Sequence, residues 1–195
     1  MLYIAHRINT IEALRNVPAE QGVEIDLRDR GDRLILQHDP FKDGEDFEEY
    51  LRHYHHRLMI LNVKSERIEH RVLDLVNAAG ITDFFFLDSS FPMTRLLSSM
   101  GERRLAMRFS EVEPSEGPLA MAGSVDWVWV DCFTRMPFSA GSYAKLRPHF
   151  KLCVVSPELQ GRPVAEIPEY AEQLRPYPVD AVCTKRPDLW TGISG

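Results

Sequence analysis

The residues best suited to chemistry stand at or near the ends of short apolar runs. His6 and Arg7 follow Leu2–Ala5, Glu24 and Asp26 lie within Val23–Leu27, and His38 and Asp39 follow Leu34–Gln37. Asn62 and Lys64 stand at the end of Leu58–Val63, while Asp88, Arg108 and Asp131 are at or beside the ends of three later runs. Two imidazoles that titrate near neutrality can share the work of general acid and general base. Glu24 and Asp26 are two residues apart, so on a strand they share a face, roughly 6–7 Å apart along the backbone. On an interior face they repel unless a cation lies between them, and an oxygen-liking divalent ion, Mg²⁺ or Ca²⁺, answers that need. On an edge strand they face solvent instead, leaving Val23, Ile25 and Leu27 as the buried side. Spacing alone leaves both arrangements open. Arg7 and Lys64 offer positive charge to an anionic oxygen, with the arginine fork suited to a phosphate. Two histidines, two carboxylates, an arginine and a lysine fit metal-assisted chemistry on a phosphate ester.

Something must hold these residues together, and the alternation of the chain suggests what. Apolar runs at Leu2–Ala5, Val23–Leu27, Leu58–Val63, Phe84–Leu87, Leu105–Phe109, Val125–Val130, Phe150–Val155 and Val179–Cys183 are separated by helix-like stretches. The helical stretches are Thr10–Arg15, Phe47–Tyr54, Ile68–Ala79, Met93–Met100, Tyr143–Leu146 and Ile167–Leu174, with Gly80 and Gly101 as stops. Leu34–Gln37 reads as a hairpin arm returning from Arg30-Gly31-Asp32. Strands apolar on both faces and alternating with helices signal a parallel sheet. Eight of them suggest an α/β chain closed into a (β/α)₈ TIM barrel, compact because such barrels usually need about 250 residues. The helix after the fifth strand is the weakest. Active sites of such barrels sit at the C-terminal strand ends, where the polar residues above fall. An open doubly wound sheet is the alternative, but no Gly-x-Gly-x-x-Gly turn follows any strand.

The 195 residues, 44% hydrophobic and 27% charged, fit a single domain over residues 1–195. A net charge of −6 and a pI near 5.7 argue against nucleic acid as a partner. The three cysteines, Cys132, Cys153 and Cys183, form no Cys-x-x-Cys pair and no disulfide framework. No stretch approaches the roughly 20 apolar residues of a transmembrane segment. A reduced, cytoplasmic protein is the expectation. His53, His55 and His56 read as a solvated helix end, and Trp127 and Trp129 as a face packed on helices.

In order and spacing, His6-Arg7, Val23-Glu24-Ile25-Asp26-Leu27 and Gln37-His38-Asp39-Pro40 resemble the motifs of the glycerophosphodiester phosphodiesterase family. Asn62-Val63-Lys64 resembles its next strand, and the segment from Val179 to Asp188 its last strand and loop. The resemblance implies a TIM barrel that hydrolyses small-molecule phosphodiester substrates, with His6 and His38 as the acid/base pair. It implies Glu24, Asp26 and Asn62 at the metal position, with Mg²⁺ or Ca²⁺ as cofactor, and Arg7 and Lys64 on the phosphate. A substrate hydroxyl beside the phosphate would attack phosphorus while one histidine activates it and the other protonates the leaving alcohol. Several features depart from the pattern. Ile8 replaces a glycine, only Asn9-Thr10 remains of a longer segment, and Asn62 replaces a third carboxylate. Phe41–Arg57 is all that stands where a small domain is usually inserted, and Val154-Val155-Ser156 lacks the usual Trp-Thr pair. An open site follows, which a second copy of the chain, a homo-oligomer, could cover. Asp88, Arg108 and Asp131 either read a substrate head group or form ion pairs at the rim, and Asp88 could also supply the missing metal charge. The alternatives to a phosphodiesterase are a pseudoenzyme that only binds a phosphorylated ligand and a barrel lyase or aldolase using its metal on a carbonyl.

Overall fold

The computed structural model describes residues 1–190; residues 191–195, part of the single domain expected above, lie outside the described residues. The chain forms two compact units, Ala5–Leu97 and Met1–Ile4 with Ser98 onward. Both alternate strands with helices.

The chain opens with the strand β1 (Leu2–Ala5) and, in the unit Ala5–Leu97, α1 (Ile11–Arg15), whose start is fixed by the Thr10 side chain accepting from the Ala13 N–H at 3.1 Å. β2 (Gly22–Arg30) then runs past the apolar stretch that announced it. Its extension comes from backbone pairing with β3 (Arg33–Leu36), which carries the ladder out to Arg30↔Arg33 across a turn with Gly31 at φ +60°. The short β4 (Glu45–Asp46) and α2 (Phe47–Leu51) fill the segment before β5 (Met59–Val63), and α2 stops three residues short of the Tyr54 expected. Next come α3 (Glu69–Ala78), β6 (Phe84–Leu87) and α4 (Phe91–Ser99). β5 pairs in parallel with β2 on one side and β6 on the other. Every residue of β5 and β6 is buried, as befits parallel strands covered on both faces.

The other unit contains β7 (Ala106–Phe109), the four-residue α5 (Glu116–Leu119), β8 (Trp127–Val130) and α6 (Ala140–Leu146). β9 (Lys151–Val155), α7 (Ile167–Leu174) and β10 (Ala181–Thr184) complete it. The ladders β7–β8, β8–β9 and β9–β10 are all parallel. α6 begins three residues before the expected Tyr143 because Ser139 and Ser142 cap it reciprocally. Trp190, Tyr170, Val154 and Val182 are fully buried here, as are Tyr50, Phe47, Ile25 and Leu61 in the first unit. Among the described residues, no helix is long and apolar enough to cross a membrane.

Candidate functional site

The strand β2 is paired on both edges, by β3 and by β5, so Glu24 and Asp26 do not lie on an edge strand. They are 1% and 0% exposed, while Val23, Ile25 and Leu27 on the other face are buried as well. Of the two arrangements left open by spacing, the interior one holds. Parallel register sets Asn62 of β5 beside Asp26, and its Nδ2 donates to Glu24 Oε1 at 2.8 Å. The Arg7 backbone N–H donates to Glu24 Oε2 at 2.8 Å, and His6 Nε2 stands 3.8 Å from the same oxygen. Burial first, and then the charge of Asp26, push the Glu24 carboxyl from its ordinary 4.5 up to about 7. The hydrogen bonds from Asn62 and Arg7 pull the other way and do not win.

Asp26 is gripped by Asn9 from two directions. Asn9 Nδ2 donates to Asp26 Oδ2, and the Asp26 N–H donates to Asn9 Oδ1, both at 2.8 Å. Two cations approach more loosely, Arg7 Nε at 3.9 Å and Lys64 Nζ at 3.7 Å. Lys64 Nζ also donates to Asp88 Oδ2 at 3.3 Å. The sequence marks Asn9 only as part of what remains of a longer segment. The capping falls to Thr10, and Asn9 turns inward onto the carboxylate.

His38 has a defined tautomer. Arg7 can only donate, and its Nη2 lies 2.7 Å from His38 Nε2, so that nitrogen carries a lone pair. The proton is then on Nδ1, which donates to Asp39 Oδ1 at 2.9 Å. Hydrogen bonds from His38 and then Lys42 hold the Asp39 carboxyl down to about 2, against an ordinary 3.8. An imidazole oriented by a carboxylate, with its second nitrogen presenting a lone pair, is the arrangement a general base requires. Arg7 and Asp88 both take left-handed backbone angles, φ +55° and +61°, and non-glycine residues hold these only where surroundings impose them. Ile8 is not among the positive-φ residues, so replacing the glycine expected there introduces no backbone strain.

The oxygen atoms also fit a hard cation. Asp26 Oδ1 and Asn62 Oδ1 are buried and have no hydrogen-bond partner among the described residues. Two orphaned acceptors beside a second carboxylate call for an electron-poor partner. The set is poorer in charge than three carboxylates, and no cluster of three or more His, Cys, Asp or Glu suited to a metal occurs among the described residues.

His6, Arg7, Glu24, Asp26, His38, Asn62, Lys64 and Asp88 thus form one connected group within Ala5–Leu97. Arg108 and Asp131 belong to the other unit, where they pair with each other. Asp131 is buried, and its Oδ1 also accepts from Trp129 Nε1 at 3.1 Å and Gln160 Nε2 at 2.6 Å. Trp129 is in register with Arg108, so this tryptophan face bears an ion pair as well as apolar contacts. The histidine cluster departs from expectation: His56 is buried, its Nε2 bonded to the Val17 carbonyl at 3.0 Å. Arg28, which the sequence did not single out, donates to the backbone carbonyls of both His38 and Lys64.

No protein-family model matches the chain, and no curated protein matches its sequence. Among solved structures it is similar to a glycerophosphodiester phosphodiesterase from Agrobacterium tumefaciens str. C58, with a TM-score of 0.68, 16% identity and 98% of each chain covered. The chain therefore shares its fold with that phosphodiesterase over nearly its whole length.

Proposed function

We propose that the protein is a metal-dependent phosphoric diester hydrolase acting on a glycerophosphodiester or a related small phosphodiester. One observation carries this. Arg7 covers the lone pair of His38 Nε2 while its backbone N–H and Nε reach Glu24 and Asp26. An incoming phosphate draws the Arg7 guanidinium onto its own oxygens, and Lys64 adds a second positive charge. His38 Nε2 is then uncovered and takes the proton of a substrate hydroxyl neighbouring the phosphate. The hydroxyl oxygen bonds to phosphorus, the bond from phosphorus to the alcohol breaks, and His6 gives its proton to the departing oxygen. Glu24 lies 3.8 Å from His6 Nε2, where its ionised form balances the imidazolium beforehand. Water then opens the cyclic product with the two imidazoles in exchanged roles.

Glu24, Asp26 and Asn62 would hold a divalent cation, Mg²⁺ or Ca²⁺. When bound it neutralises charge growing on the phosphoryl oxygens. Three buried cysteines, none of them in a disulfide among the described residues, support a reducing, cytoplasmic setting. The amide at Asn62 favours the second reading, a barrel that binds phosphate esters without turnover.

Purified protein should be assayed against an aryl phosphodiester, glycerophosphocholine and lysophospholipids with Mg²⁺, Ca²⁺, Mn²⁺ or chelator. Turnover that needs metal and vanishes in His6→Ala and His38→Ala is the expected result. Retained binding of phosphate esters with no turnover on any diester would leave the binding reading standing.

A further inference from the structure

Arg28 occupies the same face of β2 as Glu24 and Asp26, one step further along the strand. Leu27, just before it, is the last residue of β2 paired with β5 and the first paired with β3, opposite Leu36. The parallel register with β5 ends at Leu27↔Val63, and the Gln37 N–H turns back onto the Asp26 carbonyl at 2.9 Å. The chain beyond each ladder, at His38 and at Lys64, has left its strand. Arg28 bridges the gap. Its Nε and Nη2 donate to the His38 carbonyl at 3.1 and 2.8 Å, and its Nη1 donates to the Lys64 carbonyl at 2.8 Å. One guanidinium thus ties together the backbone of the residue proposed as base and that of the residue proposed to hold phosphate.

We infer that Arg28 is a positioning residue: its planar fork sets the spacing between the His38 imidazole and the Lys64 ammonium by holding their two carbonyls. This rests on the phosphodiesterase proposal for its effect on rate, though not for its effect on the histidine. The His38 ring is trapped between Arg7 and Asp39, and that trap works only while the His38 backbone stays where it is. A guanidinium can reach both carbonyls because its donors diverge in one plane. An ammonium in its place is a point donor and can serve only one carbonyl well. Misplacement of a catalytic group by about 1 Å is enough to lower a rate roughly a hundredfold.

The test compares wild type, Arg28→Lys and Arg28→Met by two independent readouts. Steady-state kinetics on the best diester should show kcat falling roughly ten- to a hundredfold in both variants with KM changed only a few-fold. Long-range ¹H–¹⁵N correlation spectra of the imidazoles should show the Nδ1–H tautomer of neutral His38 in the wild type and a mixture in the variants. A stability role alone would lower the melting temperature without moving either readout, and charge alone would let Arg28→Lys behave as wild type. Either of those results overturns the inference. If Arg28→Met does not fold, Arg28→Lys carries the test. Should the wild type turn over no diester, the functional proposal falls, and the His38 tautomer in Arg28→Lys then decides on positioning alone.

Discussion

The two units are built alike, yet they treat the polar residues at their strand ends in opposite ways. In the unit from Ser98 onward these residues are closed off. Both oxygens of Asp131 are engaged, one by Arg108 and the other by Trp129 and Gln160. Glu158 is closed in the same manner, with Ser156 on Oε2 and with Thr184 Oγ1 at 2.7 Å and the Lys185 N–H at 3.0 Å on Oε1. In Ala5–Leu97 the bonding is left incomplete. Among the described residues, Asp26 and Asn62 each keep a buried oxygen without a hydrogen-bond donor, and the His38 lone pair is covered by an arginine that a phosphate can draw away. Charge at a strand end is therefore a poor guide to chemistry. What separates the two regions is whether the valences are satisfied within the protein, because an unsatisfied buried group is stable only with something else to bind.

If that contrast is right, the largest effect belongs to the open side. His38→Ala should lower kcat by about a thousandfold, within the usual range for a general base, with the fold intact by circular dichroism. On the closed side Asp131→Asn should do the reverse. It takes the charge partner from Arg108 and should lower unfolding free energy by about 2 kcal/mol in denaturant titrations. Turnover and metal affinity should be nearly unchanged, and a lost activity here would collapse the distinction between the units. Restoring a third carboxylate with Asn62→Glu should tighten Mg²⁺ or Ca²⁺ binding by about tenfold in calorimetry. The metal-free variant should be less stable than the wild type, since a third carboxylate then joins Glu24 and Asp26 and takes away the Asn62 donor to Glu24.

Acidity offers a gentler probe. The Glu24 carboxyl is raised from 4.5 to about 7 by folding, so the folded state binds the extra proton. Its contribution to stability is full below about 4.5 and is lost as pH rises through about 7. With chelator present, melting temperature should therefore fall between pH 5 and pH 8, and Glu24→Gln should flatten that fall. An unaltered slope in Glu24→Gln would place the effect elsewhere. Asp88→Ala should show the smallest change. Lys64 keeps Asp26 at 3.7 Å, so kcat should drop only a few-fold, and metal affinity should stay constant if Asp88 is no ligand.

Much of the fold was legible because strand and helix patterns are local. Leu2–Ala5 and Phe84–Leu87 are strands with the ends their apolar runs gave them, and Ile167–Leu174 is a helix as its periodicity indicated. Other limits were not local. β2 continues through Arg28, Asp29 and Arg30, which no apolar pattern marks, because the partner strand β3 supplies the hydrogen bonds. Buried apolar residues advertise themselves by periodicity, and backbone pairing does not.

The candidate site divides in the same way. The sequence by itself determined which reactive groups exist and that Glu24 and Asp26 share one face, since alternation along a strand is a property of the backbone. Only the tertiary structure decided that this face is interior, by pairing β2 on both edges. It alone turned Asn9 onto Asp26, set the His38 tautomer between Arg7 and Asp39, and laid Arg28 across the carbonyls of His38 and Lys64. These are contacts between residues 17 to 36 positions apart, apart from the His38–Asp39 pair and the Arg28–His38 bond. Their partners are chosen by where each ladder ends and which donors face the gap, and that is settled only when the strands are assembled.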